Sequence, residues 1–328
     1  MRKFFLVLAL FLGVALVILS FGELQTILMT LEKANLWFVL LALILEGCWF
    51  LVVGRMYRSV FHLLGMEDTT RNLTVVAAAV TFVNIVTPMA GIGGIALFAA
   101  EARRRGQPAG KATVAGPLFL LFDQASLLIV LAFGMLVLFR RNNLSAGEIT
   151  AALILLAVAC GIALFLYLGY RSAERLGGLL ARMALFANRL LNPFLHRDRF
   201  QVERAHLFAE EISEGLSGLT QKPLSLLEPV SYGLLGKALL MGILTCSFLA
   251  FDVPFTAGTI VGGFSVGYLF LVVSPTPSGI GVVEGVMALA LTSLRVVWSQ
   301  SVIITLVYRA ITFWVPLGVG AVAFRRLH

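Results

Sequence analysis

Apolar residues run in long blocks at about residues 4–21, 36–54, 112–139, 148–170, 228–251 and 298–323, with short polar stretches between them. A helix rising 1.5 Å per residue needs roughly 20 residues to cross a hydrocarbon core of about 30 Å, so the six blocks predict six spanning helices. Two regions break the pattern. Leu73 to Val86 and Gly91 to Ala102 are each short for a span and flank T-P-M-A-G-I-G-G (Thr87 to Gly94). The run 255–274 and the shorter run 280–294 flank T-P-S-G-I-G-V-V-E-G, which begins at Thr276, 189 residues after Thr87. Each region therefore predicts a helical hairpin broken by Pro and Gly. Such a pair at matching positions either kinks two helices for packing or marks a transporter's central site.

The charged residues between blocks orient the chain. Arg2 and Lys3 precede the first block, which has no signal-peptide cleavage pattern after it, so it reads as a helix with a cytoplasmic N-terminus. Arg55, Arg58 and Arg71 precede the first hairpin, and Arg103, Arg104, Arg105 and Lys111 follow it, placing both flanks in the cytoplasm. The same bookkeeping makes the Arg-rich segment from Arg171 to Lys222 cytoplasmic, the second hairpin exterior-facing, and Arg325 and Arg326 cytoplasmic, with Arg140 and Arg141 against the rule. The expected fold is an all-α polytopic membrane protein with about six spans and two broken hairpins in an inverted repeat, both termini cytoplasmic. Its units are residues 36–139 and 228–326, joined by a span and amphipathic helices over 140–222.

Composition agrees, with 59% apolar residues, 13% charged residues and a mean hydropathy of +0.96. The net charge of +8 reads as topology rather than as a sign of nucleic acid. Cys48, Cys160 and Cys246 lie singly in apolar runs, which predicts packing residues and neither a disulfide framework nor a metal site. No cofactor motif appears: G-x-G-G here lacks the βαβ setting of a dinucleotide site.

Ionisable residues inside apolar blocks need a reason, since each costs about 2.5–3.5 kcal/mol at a helix centre on insertion scales. Lys237 lies 191 residues after Glu46, and Arg309 lies 186 after Asp123, each pair at similar depth in the two units. Their opposite signs fit salt bridges across the repeat interface, as site elements or as structural pairs. Glu284, seven residues beyond Pro277, is expected about 10 Å along its helix near the hairpin tip. Glu101, thirteen beyond Pro88, is expected at the cytoplasmic end beside Arg103. Backbone N–H groups near Gly91, Gly93, Gly94, Gly279 and Gly281 would favour an anion. Residues 173–195 read as an amphipathic helix, with Arg175, Arg182 and Arg189 on one face for lipid headgroups or simply for topology; residues 200–219 read as a more acidic helix.

The first motif with the following E-A-R-R-R-G, and S-P-T-P-S-G-I-G-V-V-E-G with the later V-Y-R-A-I-T-F-W-V-P, resemble the flippase-like family, also known as the lysylphosphatidylglycerol synthase transmembrane-region family, over nearly the whole chain. The resemblance implies a lipid-handling protein of the bacterial or archaeal cytoplasmic membrane. Carried over position by position, it points to Pro88, Gly91, Gly93, Gly94, Glu101, Asp123, Pro277, Gly279, Gly281, Glu284, Tyr308 and Arg309. The family's first motif usually continues with an acid after its glycines, whereas Ile95 and Ala96 stand there in this chain. No counterpart of the soluble aminoacyl-transferase domain falls within residues 1–328, so a chain that does not make lysylphosphatidylglycerol alone is expected.

The expected function is translocation of a phospholipid or other polar-headed lipid between leaflets, through a midplane site at both hairpin tips, without cofactor, metal or catalytic residues. Anionic, aminoacylated and polyprenyl-linked lipids all stay open as ligands. Two other classes stay open as well: an intramembrane transferase acting on a polyprenyl-phosphate-linked sugar, and a membrane partner of a separate lipid-modifying enzyme.

Overall fold

The computed structural model describes residues 34–87, 92–140, 146–182, 185, 202–217, 223–274 and 276–327. The expected first span at residues 4–21, together with Pro88, Gly91, Arg141 and Arg189, lies outside the described residues. The described part is helical, with no strand among its residues. Its main helices are α1 (Leu36–Leu63), α2 (Thr70–Val86), α3 (Ile92–Arg104), α4 (Ala109–Arg140), α5 (Ala146–Arg171), α6 (Val202–Ser217), α7 (Leu227–Ala250), α8 (Ala257–Val273), α9 (Val282–Ser293) and α10 (Trp298–Leu327). Among the described residues, α1, α4, α5, α7 and α10 are long and apolar enough to cross a membrane. The protein is an all-α, multi-pass membrane protein.

Helix α1 runs nine residues past the expected end at 54. Its last part, including Met56, Tyr57, Val60 and Phe61, is buried in protein, so Arg55 and Arg58 lie on an exposed stripe of a continuing helix instead of ending it. The four hairpin arms are short: α2 and α8 have 17 residues each, α3 has 13 and α9 has 12. At 1.5 Å per residue they reach about 18–26 Å, less than the hydrocarbon thickness.

The breaks follow from proline. Thr87 before Pro88, Ser274 before Pro275 and Thr276 before Pro277 are all extended, as the ring of a following proline requires. Helix starts are capped by side chains where the sequence offers them: Asn35 accepts from the Trp37 N–H at 3.1 Å, and Thr256 from the Thr259 N–H at 3.1 Å.

Helices α1 and α7 pack along their length and run antiparallel. Gly242 faces Leu45, Gly236 faces Trp49 and Gly233 faces the Met56 methyl, while the Asn35 N–H donates to the Ala250 carbonyl. Glycine on one helix lets the backbones approach where dispersion, not water, drives association. The hairpins pack reciprocally: α2 lies against the second half of α10, and α8 lies against α4. Helix α6 closes one end, meeting α4 at the mutually close Gly110 and Gly215, and α5 where Gly169 approaches Ile212. The helical stretch 173–182 buries Leu176 in the same apolar cluster and leaves Arg175 and Arg182 exposed, so part of its apolar face is covered by protein.

Candidate functional site

Between the two hairpins lies a cavity of about 300 Å³, lined by α1, α2, α4, α7, α8, α10 and the second Pro/Gly turn. Four intramembrane charges meet it: Glu46 on α1, Asp123 on α4, Lys237 on α7 and Arg309 on α10. Tyr308 and Pro277 line it too, so six of the sequence-derived candidates share one space.

The pairing of charges differs from the expectation. Lys237 Nζ donates to Asp123 Oδ1 at 2.7 Å and to the Tyr268 hydroxyl at 2.9 Å, instead of meeting Glu46. Arg309 Nε donates to Glu284 Oε1 at 2.7 Å, instead of meeting Asp123. Matching depth in two units fixes how far along a helix a residue lies but not the direction it faces; Lys237 faces α4 and α8, and Arg309 faces α9. Glu46 has 1% of its surface exposed, and its Oε2 has no hydrogen-bond partner among the described residues.

The second turn is built around Arg309. Pro277–Gly279 form one 3₁₀ turn, Ser278, Gly279 and Gly281 have φ of 48°, 68° and 78°, and α9 begins at Val282. Glu284 therefore sits in the first turn of α9, closer to the tip than the expected 10 Å. Its Oε2 accepts from the Gly281 N–H at 2.7 Å while Oε1 takes Arg309. Arg309 Nη2 donates to the Ser278 carbonyl at 2.9 Å, so the guanidinium grips the turn at two points. A carboxylate at a helix N-terminus is also favoured by the helix dipole. The left-handed Ser278 would be strained alone, and this clamp holds it.

Arg309 ends the regular first half of α10, and residues Ala310–Trp314 form a π turn. Pro316 explains it: with no N–H to give and a ring that crowds the carbonyl four residues back, it forces the helix to widen. The widened turn sets Phe313 against the Arg309 guanidinium, 5.1 Å from carbon to ring centre.

The first hairpin presents neutral polar groups. Thr81, Asn84 and Thr87 of its N-terminal arm line the cavity. Gly93 and Gly94 are not among the residues lining this cavity; they let α3 approach α2, with Gly93 beside Thr87 and Val83, and Gly94 donating its N–H to Asn84 Oδ1 at 3.0 Å. The charges of this hairpin stand at the far end of α3. Arg105 Nε donates to Glu101 at 2.8 Å and lies 3.6 Å from Asp68; Arg103 bridges to Glu211 of α6 at 2.6 Å, and Arg104 donates to the Leu327 carbonyl. Glu101 is thus a partner in an ion network away from the cavity, and Arg103 is engaged by protein.

Asn84, Gln124, Tyr57 and Tyr268 line the site without having been singled out in the sequence. For Asn84 and Gln124 the signal was there: an amide inside an apolar block is costly when left unsatisfied, though less so than a charge.

A charge-lined cavity thus lies among apolar helices long enough to span a membrane, the arrangement of a multi-pass membrane protein with an internal polar site. The sequence matches the lysylphosphatidylglycerol synthase TM region family over residues 4–320, and the chain belongs to that family. No curated protein matches the chain. The family's name ties its membrane domain to phospholipid metabolism, in keeping with a lipid-related role for this chain.

Proposed function

We propose that the protein moves a polar-headed lipid between the two leaflets of a bacterial or archaeal cytoplasmic membrane, with the headgroup passing through the central cavity and the acyl chains staying in lipid. The observation that carries this reading is the meeting of Glu46, Asp123, Lys237 and Arg309 in one cavity between two broken hairpins. A volume of about 300 Å³ is at the small end of ligand pockets and suits a headgroup rather than a whole lipid. The antiparallel packing of α1 on α7 and the reciprocal seating of α2 on α10 and α8 on α4 support two inverted units with re-entrant hairpins, the arrangement that lets one site face each side in turn.

Arg309 is the phosphate-binding group in this reading. Glu284 and the Ser278 carbonyl take two of its N–H bonds, and a guanidinium has five. Glu284 acts as a gate that holds Arg309 until a headgroup phosphate competes for it. The exposed Arg175 and Arg182 hold anionic headgroups at the surface, a weaker contribution of about 1 kcal/mol each.

The test is reconstitution into vesicles containing fluorescent phosphatidylglycerol and phosphatidylethanolamine, with bleaching of the outer leaflet from outside. The protein should speed exchange between leaflets well above protein-free vesicles, and Arg309→Ala should return it to that background. Equal rates with and without protein across the lipid panel would refute translocation.

A further inference from the structure

Four of the five charges at the cavity and its gate are satisfied in pairs, Lys237 by Asp123 and Arg309 by Glu284. Glu46 is left over. Its side chain lines the cavity from α1, is 99% enclosed by difference from its 1% exposure, and makes no ion pair among the described residues. A bare carboxylate in such a place is expensive, and the two cations that line the cavity, Lys237 and Arg309, are ion-paired with other carboxylates. Gln124 Oε1 on α4, also at the cavity, is a second enclosed acceptor without a donor. Two enclosed acceptors without donors among the described residues therefore line one cavity.

We propose that Glu46 is a proton-carrying site that couples lipid movement to proton movement across the membrane. This rests on the translocator reading and deepens it. A proton fits because it converts the carboxylate into a neutral group with an O–H to donate, and it needs no cage of further ligands, as a metal cation would. The groups facing this region are Asp123 of α4, Lys237 of α7, Tyr268 of α8, and Tyr308 and Arg309 of α10, with Tyr57 on α1 itself. Tyr268 accepts from Lys237 and lines the same cavity as Glu46 and Tyr308, so Lys237, Tyr268 and Glu46 are polar groups of one enclosed space. In the coupling step Lys237 swings to a position between Glu46 and Asp123, so that its ammonium serves both carboxylates while the 25% exposed Asp123 side chain stays partly solvated. The O–H bond of the Glu46 carboxyl then breaks, its proton leaves to water on the open side, and the ammonium replaces it as counter-charge. The reverse exchange reloads the proton on the other side.

The experiment uses the full chain in vesicles with a pH step across the membrane and fluorescent phosphatidylglycerol as probe. Wild-type translocation should change at least about fivefold with the direction of the step, Glu46→Gln should translocate at a rate indifferent to it, and Glu46→Asp should recover part of the sensitivity. A wild-type rate indifferent to the step, or a Glu46→Gln rate as sensitive as wild type, overturns coupling and leaves translocation standing. Infrared spectroscopy of the same protein reads the site without transport. The band of a protonated carboxyl should be present in wild type and lost in Glu46→Gln, whose melting temperature should match wild type. If no lipid moves but that band behaves as described, the translocator reading fails and the proton site stands. A missing band, or a Glu46→Gln protein that no longer folds, shows that Glu46 has another, structural partner and overturns the proposal.

Discussion

The two broken hairpins carry their charges at opposite ends. In the second, Glu284 and Arg309 stand at the turn itself, enclosed, with side-chain exposures of 15% and 7%. In the first, the turn region offers Thr81, Asn84 and Thr87, and the ions are gathered at the far end of α3, where Arg103 and Glu211 are 44% and 36% exposed. The same kind of motif thus yields one turn locked by a buried ion pair and one seated by close packing and a neutral hydrogen bond. Motif symmetry fixes where the chain breaks; the residues that follow each break decide what the tip can do.

If the second turn depends on Arg309, Arg309→Ala should show the largest effect. It leaves Glu284 without a counter-charge and frees the left-handed Ser278, and breaking one side of a buried pair typically costs about 3–5 kcal/mol. Thermal unfolding in detergent should fall accordingly, and lipid exchange should drop to background. Arg309→Lys should rescue little, since an ammonium lacks the planar fork that reaches Glu284 and the Ser278 carbonyl together. A melting temperature unchanged in Arg309→Ala would remove the distinction between the hairpins.

Lys237→Met tests whether the other buried pair is of the same kind. Alone it strands Asp123 and should cost a comparable amount, about 3–5 kcal/mol. Combined with Asp123→Asn the total loss should be smaller than the sum of the two single losses, since the double change removes both charges, and the cycle would give a coupling of about 1–3 kcal/mol. Two losses that simply add would show that the pair is not coupled.

These pairs also show what the sequence made legible. The prolines and glycines at Thr87–Gly94 and Thr276–Gly285 marked both breaks, because Pro cannot continue a helix and the residue before it must extend. Five of the six long apolar runs fall on described helices long enough to span, though α1 continues past 54, since a helix leaving lipid for protein shows no loss of apolar residues to mark the boundary. The convergence of Asp123, Lys237 and Arg309 was readable from their cost in an apolar block. Their partners were not, because a one-residue turn about a helix axis redirects a side chain by 100° while barely changing its depth. Asn84 and Gln124 went unread because uncharged amides stand out less in an apolar run.

Glycine sharpens the contrast at a smaller scale. A Cβ on Gly94 would press on Asn84 and lie 2.7 Å from Val80 Cγ1, so Gly94→Ala must force α3 off α2, at about 1–3 kcal/mol. Gly285 in the first turns of α9 has open space around its would-be Cβ, and Gly285→Ala should instead stabilise by about 0.5–1 kcal/mol through helix propensity. Opposite signs in melting temperature would confirm that close packing seats the first hairpin; a harmless Gly94→Ala would contradict it.

The weakest expected effect is at the far end of α3. Arg103 Nη2 donates to Glu211 Oε2 and to Thr113 Oγ1, both at 2.6 Å, tying α3 to α6 and α4. Half-exposed ion pairs lose most of their Coulomb energy to solvent and side-chain entropy, so Arg103→Ala should cost only about 0.2–1 kcal/mol. That difference should shrink further between low salt and about 1 M salt, where screening acts within roughly 3 Å. The Arg309→Ala deficit should persist under the same change, because its pair is enclosed. A salt response of equal size at both positions would mean that the ions at the second turn are as open to water as those at the end of the first hairpin, and the buried lock would have to be abandoned.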